Sequence, residues 1–408
     1  MLSLISIISF AQRECITSTY LESQVKEDVL LTQRMQEQEL LIINRAQARK
    51  IRSGAAGQTS PMPVIRIPVV IHILYNAAAD NISDAQVLSQ LAVLNQDYRR
   101  LNSDATKIPN KFIPYAADCL FEFGLATTDP SGRPTSGILR KHTPIRFFGL
   151  DDRIKKSAIG GDDAWDSNQY LNIWIGNLAG GVLGYSSPIG ITASLDGVVI
   201  KSSAFGTTGT ATAPFHKGRT ATHEIGHWLG LQHIWGDTYC GDDEIDDTPP
   251  QQSASRGCPA GEISSCNNSG TMFMNFMDLT NDECMYLFTA GQRQRMRAFF
   301  EEGGARHKIL QSAALSLPAS EANAGNEIII PVELKVTPNP AVSTLTITDV
   351  TGNGFRNKTF RVINLFGQVL KQFKFTGTNM EVNISSLPAG IYILDTGDKK
   401  NSRKFLKT

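Results

Sequence analysis

The segment His223-Glu224-Ile225-Gly226-His227-Trp228-Leu229-Gly230-Leu231-Gln232-His233 is the part of this chain best equipped for chemistry. Residues four apart on a helix share a face, so His223 and His227 are placed to bind one metal ion. Glu224 stands on the same turn, where it reaches a metal-bound water. Gly230 adopts a positive φ readily, which ends the helix and swings the chain back. That return brings His233 to the ion as third ligand and leaves a fourth position for water, as a catalytic site requires. Three neutral imidazoles suit zinc, although other divalent ions compete for such donors. A bare His-Glu-x-x-His occurs by chance in unrelated proteins; the glycine and the third histidine make the pattern specific. The chemistry that follows is hydrolysis by a metal-activated water, with Glu224 as general base toward that water.

The other histidines carry less. His72 lies in an apolar run and reads as a core residue, while His142, His216 and His307 have no partners at ligand spacing and read as surface residues.

Several elements must position this segment. A helix is expected from Arg219 to Leu229, stopped at Gly230. A strand is expected over the β-branched run Val64 to Tyr75, and another over Leu171 to Gly176. Ser83 with Gln86 resembles a capping box, and Val87, Leu88, Leu91, Leu94 and Tyr98 form one helical face behind it. A further helix is expected from Thr289 to Glu302, capped by Thr289 with Gln292 and closed by Gly303-Gly304.

The 408 residues fall into five segments. Residues 1–11 read as a signal peptide. Leu2 to Phe10 is almost wholly apolar and Ser9-Phe10-Ala11 fits a cleavage site, but the basic start is missing, as in a truncated leader. Residues 12–60 are rich in Glu, Gln, Arg and Lys. Leu21, Val25, Leu30, Leu31, Met35, Leu40 and Leu41 form a loose helical stripe, too weak for a core of its own and suited to packing on another domain as a prosegment does. Residues 61–311 form the main domain, 312–326 a linker rich in Ala, Ser and Asn, and 327–408 a small β domain. Its strands include Leu334 to Thr337, Thr344 to Thr348, Thr359 to Asn364, Gln368 to Phe375 and Gly390 to Asp395. Between them lie turns at Pro338-Asn339-Pro340, Gly352-Asn353-Gly354, Phe366-Gly367 and Pro388-Ala389-Gly390.

Composition excludes some partners. Lys and Arg number 39, as do Asp and Glu, so the net charge is zero and nothing attracts nucleic acid or an anionic membrane surface. No internal apolar stretch is long enough to span a bilayer. Six cysteines are present: Cys15, Cys119, Cys240, Cys258, Cys266 and Cys284. In an exported protein the last four read as two disulfides; in a cytosolic one they would read as a second metal site, and the leader favours the former.

The histidine segment has the metzincin signature. With Trp228 to His233, the four later cysteines and Asn275-Phe276-Met277-Asp278, the stretch from about Ile67 to Phe300 resembles the pappalysin family, in particular its short ulilysin-like members. The resemblance implies an α/β catalytic domain with a twisted mixed sheet above an active-site helix and a C-terminal subdomain. It implies Met277 as the Met-turn residue beneath the zinc ligands, and disulfides Cys240–Cys266 and Cys258–Cys284. It assigns Asp243 and Thr248 to a loop whose crowded oxygens suit Ca²⁺. It places Asp282 in the pocket for the residue after the cut, where a carboxylate favours Arg or Lys. It matches Cys15 to a prosegment cysteine whose thiolate would displace the catalytic water and keep the precursor latent; otherwise Cys15 is an incidental thiol or a partner for Cys119. It implies an extended substrate along an edge strand, with Gly176 to Tyr185 as the candidate. One departure stands out: Leu279 occupies the position where the family often has a tyrosine assisting the oxyanion or the zinc.

The last domain resembles the C-terminal sorting domain of the type IX secretion system. The matching pieces are Thr337-Pro338-Asn339-Pro340, Asn364 to Leu370, Ser386-Leu387-Pro388-Ala389-Gly390-Ile391-Tyr392 and Lys404-Phe405-Leu406-Lys407. The implied route is export through a Gram-negative envelope, followed by release or surface attachment. A β-sandwich binding substrate or carbohydrate is the alternative, and the lack of an aromatic platform argues against it.

The expectation is a secreted zinc metalloendopeptidase made as a latent zymogen. Its partners are protein substrates, its own prosegment and the secretion machinery. A catalytically decayed adhesin on the same fold is the alternative, favoured only by Leu279. A closed structural zinc module is another, and it would need a thiolate as fourth ligand.

Overall fold

The computed structural model describes residues 13, 15–53, 62–315, 334–349, 355, 358–364, 368–396 and 402–408. The leader at residues 1–11, the linker from residue 316 and the turns at Gly352-Asn353-Gly354 and Phe366-Gly367 lie outside them. The chain divides into two compact units, Met1–Ser320 and Glu321–Thr408.

In the first unit, helices α1 (Thr17–Glu27) and α2 (Leu31–Ser53) precede β1 (Ile65–Tyr75), α3 (Asp84–Tyr98), β2 (Phe121–Leu125) and β3 (Ile138–His142). Then follow β4 (Leu171–Gly176), β5 (Gly184–Ser186), β6 (Val198–Lys201), α4 (Arg219–Trp228) and α5 (Ala290–Ala298). The sheet order is β2-β1-β4-β6-β5, with β3 also paired to β1. β1 and β4 are buried almost throughout rather than alternating, because parallel neighbours and layers on both faces cover them. β5 is the antiparallel edge.

The main core lies between one face of this sheet and α3, α4 and α5. Tyr98, Phe121, Phe123, Phe288 and Phe300 meet there with ring centroids 4.8 to 6.1 Å apart. A smaller cluster includes Phe148, Trp174, Tyr185 and Val199, and it takes in Tyr20 from α1.

The caps behave as their chemistry requires, with one difference. Ser83 caps α3 by accepting from the Gln86 amide at 3.2 Å. The Gln86 side chain does not complete the box; it donates to the carbonyls of Ser202 and Phe205, at 3.1 and 2.8 Å, tying α3 to the loop after β6. At α5 both halves of the box form between Thr289 and Gln292. That helix ends at Ala298, short of Glu302, because Phe299 and Phe300 are both drawn into apolar clusters and the chain turns to bury them.

The N-terminal stripe is corrected by the structure. Leu30 and Leu40 are exposed. The residues that pack are Tyr20, Leu31 and Ile42, joined by buried Arg13 and Gln24. Ile42 contacts the cluster of Ile189, Ala298 and Phe299, and Glu39 pairs with Arg295 at 2.6 Å. The segment therefore docks through specific polar contacts as much as through its apolar side.

His72 is a core residue, bonded through Nδ1 to Asp162 at 2.8 Å and through Nε2 to Asn172 at 3.1 Å. His142 is exposed, whereas His216 and His307 are half-buried rather than on the surface, and His307 Nδ1 donates to the Phe300 carbonyl at 2.9 Å. Cys119 is fully buried in the main core and unpaired. The region called a linker begins inside the first unit: Ala314 is buried, and its carbonyl accepts from the Thr127 amide at 2.8 Å.

In the second unit, the strands are β7 (Leu334–Thr337), β8 (Thr344–Asp349), β9 (Thr359–Asn364), β10 (Val369–Lys374), β11 (Asn379–Asn383), β12 (Gly390–Asp395) and β13 (Arg403–Lys407). They pair antiparallel as two sheets, β10-β9-β12-β13 and β11-β8-β7, around one core that includes Leu345, Ile347, Phe360, Val362 and Phe405. β11 and β13 escape notice in the sequence because each buries only one or two side chains between polar ones.

Candidate active site

Helix α4 is buried along its whole length. Ala221, Ile225 and Trp228 face the main core, leaving His223, Glu224 and His227 for the opposite side. Its C-terminal end is fixed by a bidentate ion pair between Arg306 and Asp196, both buried. The Trp228 indole donates to Asp196 at 3.0 Å, and the Arg306 guanidinium stacks 3.9 Å from the Trp228 ring.

Gly230 then takes φ +84°, and the chain reverses. The turn serves two ligands: it returns His233 to the site, and it aims the Leu231 carbonyl at His227 Nδ1, 2.9 Å away. A Cβ at Gly230 would also overlap the Phe299 ring. Gly230→Ala is therefore expected to destabilise the first unit by about 3 kcal/mol, from the left-handed backbone and the overpacking together. The thermal midpoint of that unit in the full chain is the measurement.

The three imidazoles converge. The Nε2 atoms of His223, His227 and His233 lie 3.1 to 3.3 Å from one another. Each Nδ1 is engaged with an acceptor: the Phe276 carbonyl at 2.7 Å for His223, the Leu231 carbonyl for His227, and the Asp237 carboxylate at 2.7 Å for His233. A carbonyl only accepts, so Nδ1 carries the proton and the lone pairs of Nε2 face each other. Burial holds His223 well below the usual histidine range and His227 down to about 3, so both rings are neutral. Three mutually repelling lone pairs at this separation fit a shared cation, and this donor set suits zinc. The His233 ring also stacks on Trp235, centroids 4.3 Å apart.

Met277 is buried against α4, where a Cβ at Gly226 would overlap its sulfur. Its turn is held by paired amides: Asn275 accepts from the Met277 amide at 2.9 Å and exchanges two bonds with the Gln292 side chain, at 2.9 and 3.0 Å. The same Gln292 caps α5. Asp278 bonds Gln251 and the Ser255 amide, tying this turn to the cysteine-rich segment. That segment carries the disulfides Cys240–Cys266 and Cys258–Cys284. Leu279 is buried in the main core and brings no hydroxyl.

The N-terminal segment crosses the site. Cys15 bridges in parallel to Gly184 of β5, and its sulfur lies 3.5 Å from His227 Nε2 and 3.9 Å from Glu224 Oε2. Cys15 and the three histidines form one potential metal-binding group. Thr17 accepts from the Ser186 amide and donates to Glu224, both at 3.0 Å. Burial pushes Glu224 up to about 7, opposed by the bonds from Thr17 and Cys15. On the other side of Cys15, Arg13 is buried, ion-paired to Asp282 and bonded to the Thr280 carbonyl at 3.1 Å. Asp282 also accepts from the Lys217 amide at 2.7 Å. The edge strand thus covered is Gly184–Ser186, so the earlier candidate Gly176 to Tyr185 is narrowed and shifted: only its last two residues belong to β5.

Asp243 and Thr248 meet, the threonine hydroxyl donating to one carboxylate oxygen. The other oxygen of Asp243 is buried without a partner, and burial raises this carboxyl to about 7. A cation bound through that oxygen would satisfy it.

Arg13, Tyr20, Asp196, Asp237, Arg306 and the Asn275–Gln292 pair escape the sequence reading. Asp237 alone left a local signal, a carboxylate four residues after a histidine ligand.

Comparison with known proteins agrees with this geometry. Residues 154–301 match the family model described as pregnancy-associated plasma protein-A, and residues 335–408 match the secretion system C-terminal sorting domain. An extracellular metalloprotease of Pyricularia oryzae is 31% identical over 274 residues, covering 64% of this chain and 83% of that protein. Extracellular metalloprotease 1 of Coccidioides posadasii is 30% identical over 248 residues, covering 58% and 78%. Among solved structures, mature mirolysin of Tannerella forsythia in complex with a cleaved peptide is 46% identical with a TM-score of 0.61, covering 63% of this chain and 99% of that one. A promirolysin mutant from the same organism is 41% identical with a TM-score of 0.67, covering 75% and 99%. The chain belongs to the pregnancy-associated plasma protein-A, or pappalysin, family of metalloendopeptidases, as a secreted enzyme with a zymogen form and a C-terminal type IX sorting domain.

Proposed function

We propose that the protein is a zinc endopeptidase in which His223, His227 and His233 hold the ion, Glu224 is the general base and Asp282 selects a basic residue after the cut. The convergence of three Nε2 lone pairs, each with its tautomer fixed from behind, carries this reading. When bound, zinc supplies a Lewis acid for a peptide carbonyl and brings a water's pKa to about 7. The chain's own residues do the rest. Glu224 takes a proton from the attacking water and returns it to the leaving amine. The free edge of β5 receives an extended substrate by strand addition. Asp282 and the Thr280 carbonyl, which hold the Arg13 side chain, would receive an arginine or lysine of the substrate. Asp243 and Thr248 would hold a structural calcium.

Cleavage of a peptide library by prosegment-free protein tests the function. Cleavage should stop on chelation and return with zinc but not with calcium alone. Library turnover unaffected by chelation would end the reading.

Latency is proposed to follow from Cys15, whose thiolate would take the position water needs. The precursor Cys15→Ala should therefore hydrolyse a fluorogenic peptide that the intact precursor leaves uncut. Its rate should stay below that of prosegment-free enzyme, since Arg13 still fills the Asp282 pocket. Equal latency of the two precursors would remove Cys15 from the switch.

A further inference from the structure

The N-terminal segment has a third anchor besides Arg13 and Cys15. Tyr20 of α1 is fully buried in a slot made by Asp152, Lys155, Trp174 and Tyr185. Its hydroxyl donates to Asp152 at 2.7 Å and accepts from the Lys155 ammonium at 2.9 Å, while Asp152 and Lys155 pair at 3.1 Å. The Tyr20 ring lies 4.8 Å from that of Tyr185, and the Lys155 ammonium sits over the rings of Tyr20, Tyr185 and Trp174 at 4.7, 5.3 and 5.6 Å. The Tyr185 hydroxyl is buried and unpartnered. Every wall of this slot belongs to the catalytic unit's own sheet and loops. The occupant comes from the N-terminal segment, with Gln24 on the second Asp152 oxygen at 2.9 Å and Ile16 packed beside it.

Departure of that segment leaves an ion pair at the base of an aromatic-walled slot. A buried pair with empty hydrogen-bonding positions is costly. The chemistry that satisfies it is a group that donates to a carboxylate and accepts from an ammonium at the end of a flat ring, which is a phenol. Phenylalanine would fill the volume and leave both charges short of a partner.

The slot's place along the edge defines what reaches it. Arg13, Cys15 and Thr17 follow one another past Asp282, the histidines and Ser186, and Tyr20 comes next in the chain, against Tyr185 of the same edge strand. With Asp282 receiving the residue after the cut, the slot lies toward residues before it.

We propose that in the mature enzyme this slot is a recognition pocket for a tyrosine side chain of the substrate, on the side before the scissile bond. The proposal rests on the reading above, that residues 12–60 are a released prosegment and Asp282 lines the pocket after the cut.

The test uses prosegment-free enzyme and peptides with Arg after the cut. Tyrosine, phenylalanine and alanine are moved through successive positions before it. At one position tyrosine should exceed phenylalanine in kcat/KM by roughly tenfold, the scale of a hydrogen bond to charged groups. Lys155→Met should bring the Tyr/Phe ratio to about one, and a ratio within one enzyme does not depend on how much of the variant folds. A synthetic peptide of residues 13–27 should inhibit the same enzyme, and Tyr20→Phe in that peptide should weaken inhibition by a similar factor. Cleaved peptides with a flat Tyr/Phe ratio, or inhibition indifferent to Tyr20→Phe, overturn the slot alone. Absence of both cleavage and inhibition by the unaltered peptide overturns the parent reading, and the slot with it.

Discussion

Glu224→Gln in prosegment-free protein is expected to lose peptide hydrolysis by about three to four orders of magnitude in kcat while still binding zinc. The amide keeps the volume of the carboxylate but cannot take a proton. None of the three imidazoles bonds to Glu224, since their Nδ1 atoms are committed to Phe276, Leu231 and Asp237. Ligand geometry should therefore survive the change. Parallel measurements of kcat and of bound zinc separate the roles. Loss of rate with metal retained supports a base; loss of both would make Glu224 part of the metal-holding structure instead. Retained turnover would mean that a group other than Glu224 acts as the base.

Asp282→Asn carries the second large effect. Asp282 is fully buried and already holds one guanidinium, that of Arg13. Removing one partner of a buried pair costs on the order of 3–5 kcal/mol, or about two to four orders of magnitude in rate constant. The prosegment-free variant should lose that factor in kcat/KM for peptides with Arg after the cut, and far less for peptides with a neutral residue there. The asparagine oxygen can still accept from the Lys217 amide, which guards the local fold. A parallel fall for both peptide classes would assign Asp282 to structure rather than selection. The same substitution in the precursor should loosen the N-terminal segment, because Arg13 would lose its counter-ion.

Much of the site was legible where its logic is local. The pairing of His223 with His227 follows from the helical repeat. The reversal at Gly230 follows from a backbone that only glycine adopts freely, and the structure gives it φ +84°. Thr289 and Gln292 announce the start of α5 by the same kind of short-range chemistry. The cystine pairs came from family resemblance, since four half-cystines allow three pairings and spacing does not choose among them.

What escaped was long-range and polar. Gln86 has the position of a capping residue, yet its amide is claimed by carbonyls more than a hundred residues away. Tyr20 and Arg13 look like members of a weakly amphipathic, charged segment. Both are buried and bonded, one to Asp152 and Lys155, the other to Asp282. The apolar stripe was an incomplete guide: Leu31 is buried, but Leu30 and Leu40 face solvent while Gln24 is buried.

The sequence by itself determined the metal-binding face, the turn that completes it, strands β1 and β4 and helices α3, α4 and α5, because each depends on dihedral preference or on a period of a few residues. The tertiary structure alone decided which buried polar groups meet. It set Asp237 behind His233, Arg306 on Asp196 beneath Trp228, and the N-terminal segment across β5. A buried charge or hydroxyl must find a partner wherever the fold brings one within about 3 Å, and separation along the chain carries no record of that encounter.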